Sequence, residues 1–571
     1  MALNLGNQLG EWNPQLFREL KGRLTPRNIL VAVVISLLGQ LLLLMSFSNR
    51  LPVLGEDDSP IYNRYCTGES RYFGIADYQC VKTINDSFAI NWQLWWQDVF
   101  VWLSIIGILA LLVGGTYMLV NDLSKEEHRG TLNFLRLTPQ SSRSILIGKL
   151  LGVPFLLYLV GLLALPLHLV ASLSGQISPY LILSFYSVLG ASCLFFYSGA
   201  LLFGLVGSWL GSFQAWLGSG VVLMFLLQMT SVIDNHRPII YQTPGDWVKL
   251  FAPLTGLPYL ATKALAAAEP SRSYGLENLQ WFHLPIGLSV WNTFGLMLLN
   301  YALWTYWVWQ GLERCFHNPR ATLLGKQQSY WLTACFEVVV LGFALNPQVK
   351  HWSVPRGLFE NFEMLAVSNL LLFLYLIAAL SPHRQAMQDW ARYRYQKRSL
   401  AQGGVMSDLI WGEKSPALVA LVLNVAIAST ILLPWILLWP ESNYKTPALW
   451  GLVLNMGLIL VYTAVAQLIL FMKTPKRAPW AAATVGALVV VPQILFNLLS
   501  RTPSEKSPEW LVSVFPWIAV EHTTGMAVFL SIIGQSLALG LLSIQLTRQL
   551  HKAGESSTKA MLSGRSPMAI E

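Results

Sequence analysis

Charge is scarce in this chain: 67 of 571 residues, 38 basic and 29 acidic, or 12%, against about 25% in an average soluble domain. With 54% hydrophobic residues, that scarcity excludes a disordered chain, a coiled coil and an ordinary soluble enzyme. A phosphate cradle is missing too. No GxxxxGK run followed by Ser or Thr occurs, because Gly148-Lys149 precedes Leu150 and Gly325-Lys326 precedes Gln327. Any nucleotide hydrolysis must therefore come from a separate chain. The apolar blocks lack the alternating polar residues of a membrane barrel, which leaves helices. The first block ends at Phe47-Ser48-Asn49-Arg50 without a small-residue cleavage site, so it reads as a retained span rather than a signal peptide.

What the chain does have is apolar length. Blocks long enough to span a bilayer run over 29–47, 97–120, 146–172, 179–208, 215–233 and 288–310, then 330–346, 364–381, 418–439, 448–472, 480–499 and 524–546. The expected fold is an all-α polytopic membrane protein of about twelve transmembrane helices, with two six-helix units as one arrangement. An even count puts both termini on one side. If that side is the cytoplasm, the segments there hold 24 Lys+Arg and the opposite loops 13, so the positive-inside rule favours cytoplasmic termini. The net charge of +9 then reflects topology and anionic lipid, and needs no nucleic acid. Expected divisions are a cytoplasmic N-terminus (1–28), a first six-span unit (29–310) with a loop at 121–145, a second unit (311–546) and a cytoplasmic tail (547–571). Cys66 and Cys80 share the first outer loop, where an oxidising compartment would let them pair. Cys193, Cys315 and Cys335 lie in or beside spans and read as packing residues.

The most informative segment runs from Lys125 to Lys149. Charged residues lead into an apolar set at Leu132, Leu135 and Ile145; Thr138-Pro139 forces a turn, and Ser141 can cap the helix entering the next span. This predicts a short amphipathic helix held against the membrane by two spans, able to pass force from a cytoplasmic partner. Three sets of residues share a pattern. They are Glu127-His128-Arg129-Gly130-Thr131-Leu132 with Leu137-Thr138-Pro139 and Gly148-Lys149-Leu150; Asn13-Pro14-Gln15-Leu16-Phe17-Arg18-Glu19-Leu20; and Phe251-Ala252-Pro253 through Leu260. Together they resemble the coupling loop, the interfacial elbow helix and the outer re-entrant segment of the membrane (permease) subunits of type-2 ATP-binding-cassette (ABC) exporters. The resemblance covers residues 1–310.

It implies that Glu127, Arg129, Gly130, Thr131, Leu132, Thr138 and Pro139 couple to a separate ATPase subunit, with Glu127 and Arg129 leading the contact. It implies that Asn13, Pro14, Arg18 and Glu19 belong to the elbow. It also implies a plasma-membrane (inner-membrane) location, ATP and Mg on the partner, no cofactor, metal or catalytic residue in this chain, and a homo- or hetero-dimer of permease units. Residues 311–571 depart from the family's usual six spans. An internal repeat would make Asn318-Pro319 echo the elbow, Glu413–Pro416 the loop turn and Phe515-Pro516 the outer segment.

Two other classes remain open. A proton- or ion-coupled carrier needs ionisable groups within the membrane; Glu337 is the carboxylate well inside a span and a pathway candidate, and His168 lies toward the end of the third. A membrane glycosyltransferase using a lipid-linked donor would place acidic residues after its first span, as at Glu56-Asp57-Asp58. The basic-aromatic run Arg384–Arg398 reads as an interfacial helix.

Overall fold

A computed structural model describes residues 10–53, 61–69, 77–83, 87–234, 240–261, 276–346, 357–398, 404–440, 442–498 and 508–555. Among the described residues the regular elements are helices, apart from one two-residue strand pair, Tyr62–Asn63 with Tyr78–Gln79, and isolated bridges. The chain divides into two compact units, Met1–Tyr241 with Asp246–Pro319, and Gln242–Gly245 with Arg320–Glu571.

In the first unit, α1 is Pro14–Arg23, α2 Pro26–Ser48, α3 Trp92–His128 with a π-helical turn at Ala110–Gly114, and α4 Thr131–Arg136. Helix α5 is Ser142–Gly152, α6 Phe155–Ser174, α7 Pro179–Val206, α8 Phe213–Asp234 and α9 Val290–His317. In the second unit, α10 is Lys326–Ala344, α11 Leu358–Leu380, α12 Arg384–Arg398 and α13 Val405–Trp411. Then come α14, Leu418–Leu437, α15, Ser442–Leu470, α16, Arg477–Leu498, and α17, Gly525–Gly554. Local chemistry sets the starts: proline occupies the first turn of α1, α2 and α7, while Asn13, Thr25 and Ser141 accept an N–H in the first turn of α1, α2 and α5.

Ten described helices are long and apolar enough to cross a membrane: α2, α3, α6, α7, α8, α11, α14, α15, α16 and α17. The protein is an all-α polytopic membrane protein. Helices α9 and α10 stand where the sixth and seventh spans are expected, but are less apolar. Helix α10 carries Lys326, Gln327, Gln328, Ser329, Thr333 and Glu337.

Three boundaries differ from the sequence reading. The second span does not stop at 120; α3 continues to His128, so the loop starts a helix turn or two later. The third block is not one helix, because the chain turns at Val153-Pro154 between α5 and α6, where proline lacks the N–H that a continuous helix needs. The first unit ends at Pro319 rather than 310 because α9 runs on to His317. Asn318 ends that helix instead of starting one, and 318–325 is turns. The elbow echo is therefore not built.

In the first unit, α2 packs on α6, α7 on α9, and α3 on both α7 and α8. Beneath the loop lies a core of Leu119, Leu123, Leu132, Leu135, Ile145, Leu146 and Phe316 with their neighbours. In the second unit, α15 packs against α11, α14, α16 and α17, while α10 packs against α11 and α14.

Candidate functional site: an elbow and a loop helix around a buried lysine

The elbow α1 is fastened to α5 through its cap residue. The Asn13 side-chain oxygen Oδ1 accepts from the Leu16 N–H at 2.9 Å, and its side-chain Nδ2 donates to the Ser144 carbonyl at 2.8 Å. Close approach depends on two glycines of α5. A Cβ at Gly148 would lie 2.8 Å from Asn13 Oδ1 and from the Leu16 nitrogen, and one at Gly152 would lie 2.6 Å from the Glu19 Cβ.

Between those glycines Lys149 is 0% exposed. Its Nζ lies 2.7 Å from Asp122 Oδ2, 2.7 Å from Glu126 Oε2 and 3.6 Å from Glu19 Oε1. Arg18 reaches Glu126 at 2.5 Å and Glu19 at 3.4 Å, and Arg23 reaches Asp122 at 2.6 Å and Glu19 at 3.3 Å. Three acids thus face three bases, and the cluster is neutral. Burial pulls the Lys149 ammonium toward losing its proton, but Asp122, Glu126 and Glu19 together hold its pKa above the ordinary value. The three carboxylates converge closely enough to ligate a metal ion. The ammonium already supplies the cation at that point.

One turn beyond Glu126, α3 ends and Gly130 turns the chain with φ 71°, in the left-handed region that costs a side-chain-bearing residue about 1–2 kcal/mol. Helix α4 follows. The Thr131 hydroxyl donates to the Glu126 carbonyl at 3.2 Å and the Thr138 hydroxyl to the Leu135 carbonyl at 2.7 Å, securing both ends. Leu132 and Leu135 are buried in the core with Ile145. Arg136 donates to the Phe316 carbonyl at 2.8 Å, and Arg143 pairs with Glu313 at 2.5 Å, so both join the loop to α9. On the other face, Phe134 is 72% exposed and Leu137 83%. The result is a short helix pinned to α3, α5 and α9 that offers two apolar side chains outward.

Among the sequence candidates, Asn13, Pro14, Arg18 and Glu19 fall in the elbow, and Glu127, Arg129, Gly130, Thr131, Leu132, Thr138 and Pro139 in or beside α4. Leu132 points inward rather than to a partner. Arg129 and Pro139 are exposed and Glu127 half-buried. Lys149 and Leu137 enter the sequence pattern only as members of the Gly148–Leu150 and Leu137–Pro139 runs, and Asp122, Glu126 and Phe134 carry no sequence signal of their own. A lone lysine inside an apolar block is the signal that finds the cluster, since a charge there demands a counter-charge.

Glu337 belongs to the second unit, 0% exposed on α10. His168 is a packed histidine, its ring nitrogens 2.8 Å from the Ser104 hydroxyl and 2.6 Å from that of Tyr186. Cys66 and Cys80 form a disulfide. Glu56, Asp57 and Asp58 lie outside the described residues. No family model, curated protein or solved structure matches the chain.

Proposed function

We propose that this chain is the permease subunit of an ATP-driven exporter of the type-2 ABC class, with ATP and Mg bound on a separate ATPase subunit that docks on α4. The observation that carries the reading is the exposed pair Phe134, on α4, and Leu137, at its C-terminal end, where the opposite face, Leu132 and Leu135, is locked into the core. Exposed apolar anchors on a rigid base are what a partner surface uses for binding energy. The Glu127–Thr138 resemblance supplies the partner's identity.

In this reading both termini face the cytoplasm of the plasma membrane. The ATPase closes on ATP and pushes α4. Buried Leu132 and Leu135 carry the push to α3 and α5, and the Lys149 cluster makes the elbow move with them. Because a partner shifts an equilibrium only by its differential affinity for two states, the ATP-bound form must bind the outward-facing arrangement more tightly. A homo- or hetero-dimer of such permease chains provides the route, which a lipid or other amphiphile suits.

The test is ATP hydrolysis accompanying the full-length chain purified from its native membrane in mild detergent. Hydrolysis should be present with the native chain. It should be lost from a Phe134→Ala/Leu137→Ala variant recovered in equal amount. A chain that carries no hydrolysis, or a double variant that keeps it, counts against the reading.

A further inference from the structure

Helix α10 carries a row of buried polar residues. Lys326, Ser329, Thr333 and Glu337 recur at spacings of three and four, which places them on one helix face, and none is more than 3% exposed. Most of the row is satisfied. Lys326 Nζ donates to the carbonyls of Leu409 at 2.7 Å and Pro416 at 3.1 Å and to the Ser415 hydroxyl at 2.6 Å. Asn424 of α14 bridges the next two residues, donating to the Ser329 hydroxyl at 3.0 Å and accepting from the Thr333 hydroxyl at 2.8 Å.

The row ends differently. Glu337 and Asn369 of α11 are both fully buried, and the Asn369 amide is the side chain that acts on the Glu337 carboxyl. Yet neither carboxyl oxygen and neither amide atom completes a hydrogen bond of acceptable geometry. An ionised carboxylate left so in a fully buried site costs several kcal/mol or more, so the site calls for a proton or a cation.

Among the described residues no fixed cation is positioned beside the pair. Lys326 lies eleven residues away, about 16 Å along the helix, and is held by three oxygens. The other titratable groups on the described helices packed against the pair are Tyr330 and Cys335 on α10, Glu360, Glu363 and Tyr375 on α11, Asp408 on α13, and Tyr444, Lys445 and Tyr462 on α15; α14 has none. The one cation among these, Lys445, stands in the first turn of α15, about 15 Å along that helix from Asn455, whose amide reaches the Ala366 carbonyl one turn from Asn369.

We propose that Glu337 and Asn369 form a proton-binding site within the second unit, reached from the Lys326 end along the Ser329–Asn424–Thr333 row. With a proton on Glu337 the pair becomes complementary. The carboxylic O–H donates to Asn369 Oδ1, and the Asn369 Nδ2–H donates to the other carboxyl oxygen, so one reciprocal pair of hydrogen bonds satisfies all four atoms. The proton comes from and returns to bulk water, and no other bond changes. The site is independent of the ATP-driven reading, which needs no ionisable group in the membrane.

Two measurements on the full-length chain in detergent test it. The first is labelling with dicyclohexylcarbodiimide, an apolar reagent that adds to a protonated carboxyl. Peptide mass spectrometry should find the adduct on Glu337, absent in Glu337→Gln, unaffected by Na⁺ or K⁺, and lost as the pH is scanned upward across the range in which the protein stays folded. Suppression by either ion would make this a metal-cation site and overturn the proposal. The second is the melting temperature across the same range. A carboxyl that binds its proton more tightly when folded loses stability as pH rises. The wild-type curve should therefore fall relative to that of Glu337→Gln. Parallel curves overturn the proposal even where the reagent fails to enter.

Discussion

Replacing Lys149 by methionine removes the one cation that touches all three acids of the elbow cluster while keeping most of its apolar stem. At 2.7 Å and an effective dielectric of about 20, each of the two short pairs represents a gross attraction of about 6 kcal/mol. Most of that is offset by the desolvation of burying the ions. The net cost of deleting one partner of a buried pair is about 3–5 kcal/mol, because the remaining charges are left uncompensated. Arg18 and Arg23 still neutralise part of the acid cluster, which favours the lower end. A loss of about 3 kcal/mol is roughly a hundredfold in the docking equilibrium of α1 on α5. Spin labels on exposed Lys21 of α1 and Ile147 of α5 would read it: a narrow distance distribution in the native chain should broaden in Lys149→Met, with a lowered melting temperature. Adding Glu126→Gln should recover part of the loss, since it removes one stranded charge. The sign of the pH dependence follows from the raised Lys149 pKa. The stabilisation is full below the unfolded value of about 10.4 and is lost only as pH rises beyond it, so the effect of the substitution should be constant from about pH 7 to about pH 9. A Lys149→Met chain with native melting and a narrow distance distribution would refute the cluster as the elbow's anchor.

Gly148→Ala should loosen the same joint sterically, costing about 1–3 kcal/mol, because its methyl would meet Asn13 Oδ1 and the Leu16 nitrogen at 2.8 Å; the same spin-label pair reports it. Removing the Cys66–Cys80 disulfide by Cys66→Ser with Cys80→Ser opens a link between residues 14 apart, worth about 3 kcal/mol in the loop-entropy account. Limited proteolysis of the detergent-solubilised chain should then cut within 61–83 while the helices stay intact.

Much of the fold can be read from the sequence because Leu-, Val- and Ile-rich runs of span length have few alternatives to a membrane helix. Asn13-Pro14 is a legible start, combining a capping side chain with a proline that needs no N–H donor. The same dipeptide at 318–319 does not start a helix, because α9 is still ending there; local chemistry permits a start without compelling one. The buried cluster was hidden by one boundary. Once α3 is seen to run on to His128, Asp122 and Glu126 stand four apart on one face, and Lys149 has its counter-charges. With the loop placed at 121, those acids look like solvated residues. The two faces of α4 were hidden by its composition, since Leu132, Phe134, Leu135 and Leu137 are all apolar and only packing separates the buried pair from the exposed one. Glu337 was visible as a carboxylate inside a span, but its unsatisfied partner Asn369 comes from another helix, and no spacing within α10 predicts it.

The central claim is that α4 is where an ATP-hydrolysing partner pushes. Its most direct test is a photo-reactive amino acid placed at Leu137 in the full-length chain, irradiated in living cells, with the captured protein identified by mass spectrometry. The account predicts a single major adduct with a protein carrying a GxxxxGK motif followed by Ser or Thr, and predicts its loss when the probe sits instead at buried Leu132. Lipid-only adducts at Leu137, or capture of a protein without that motif, would contradict it.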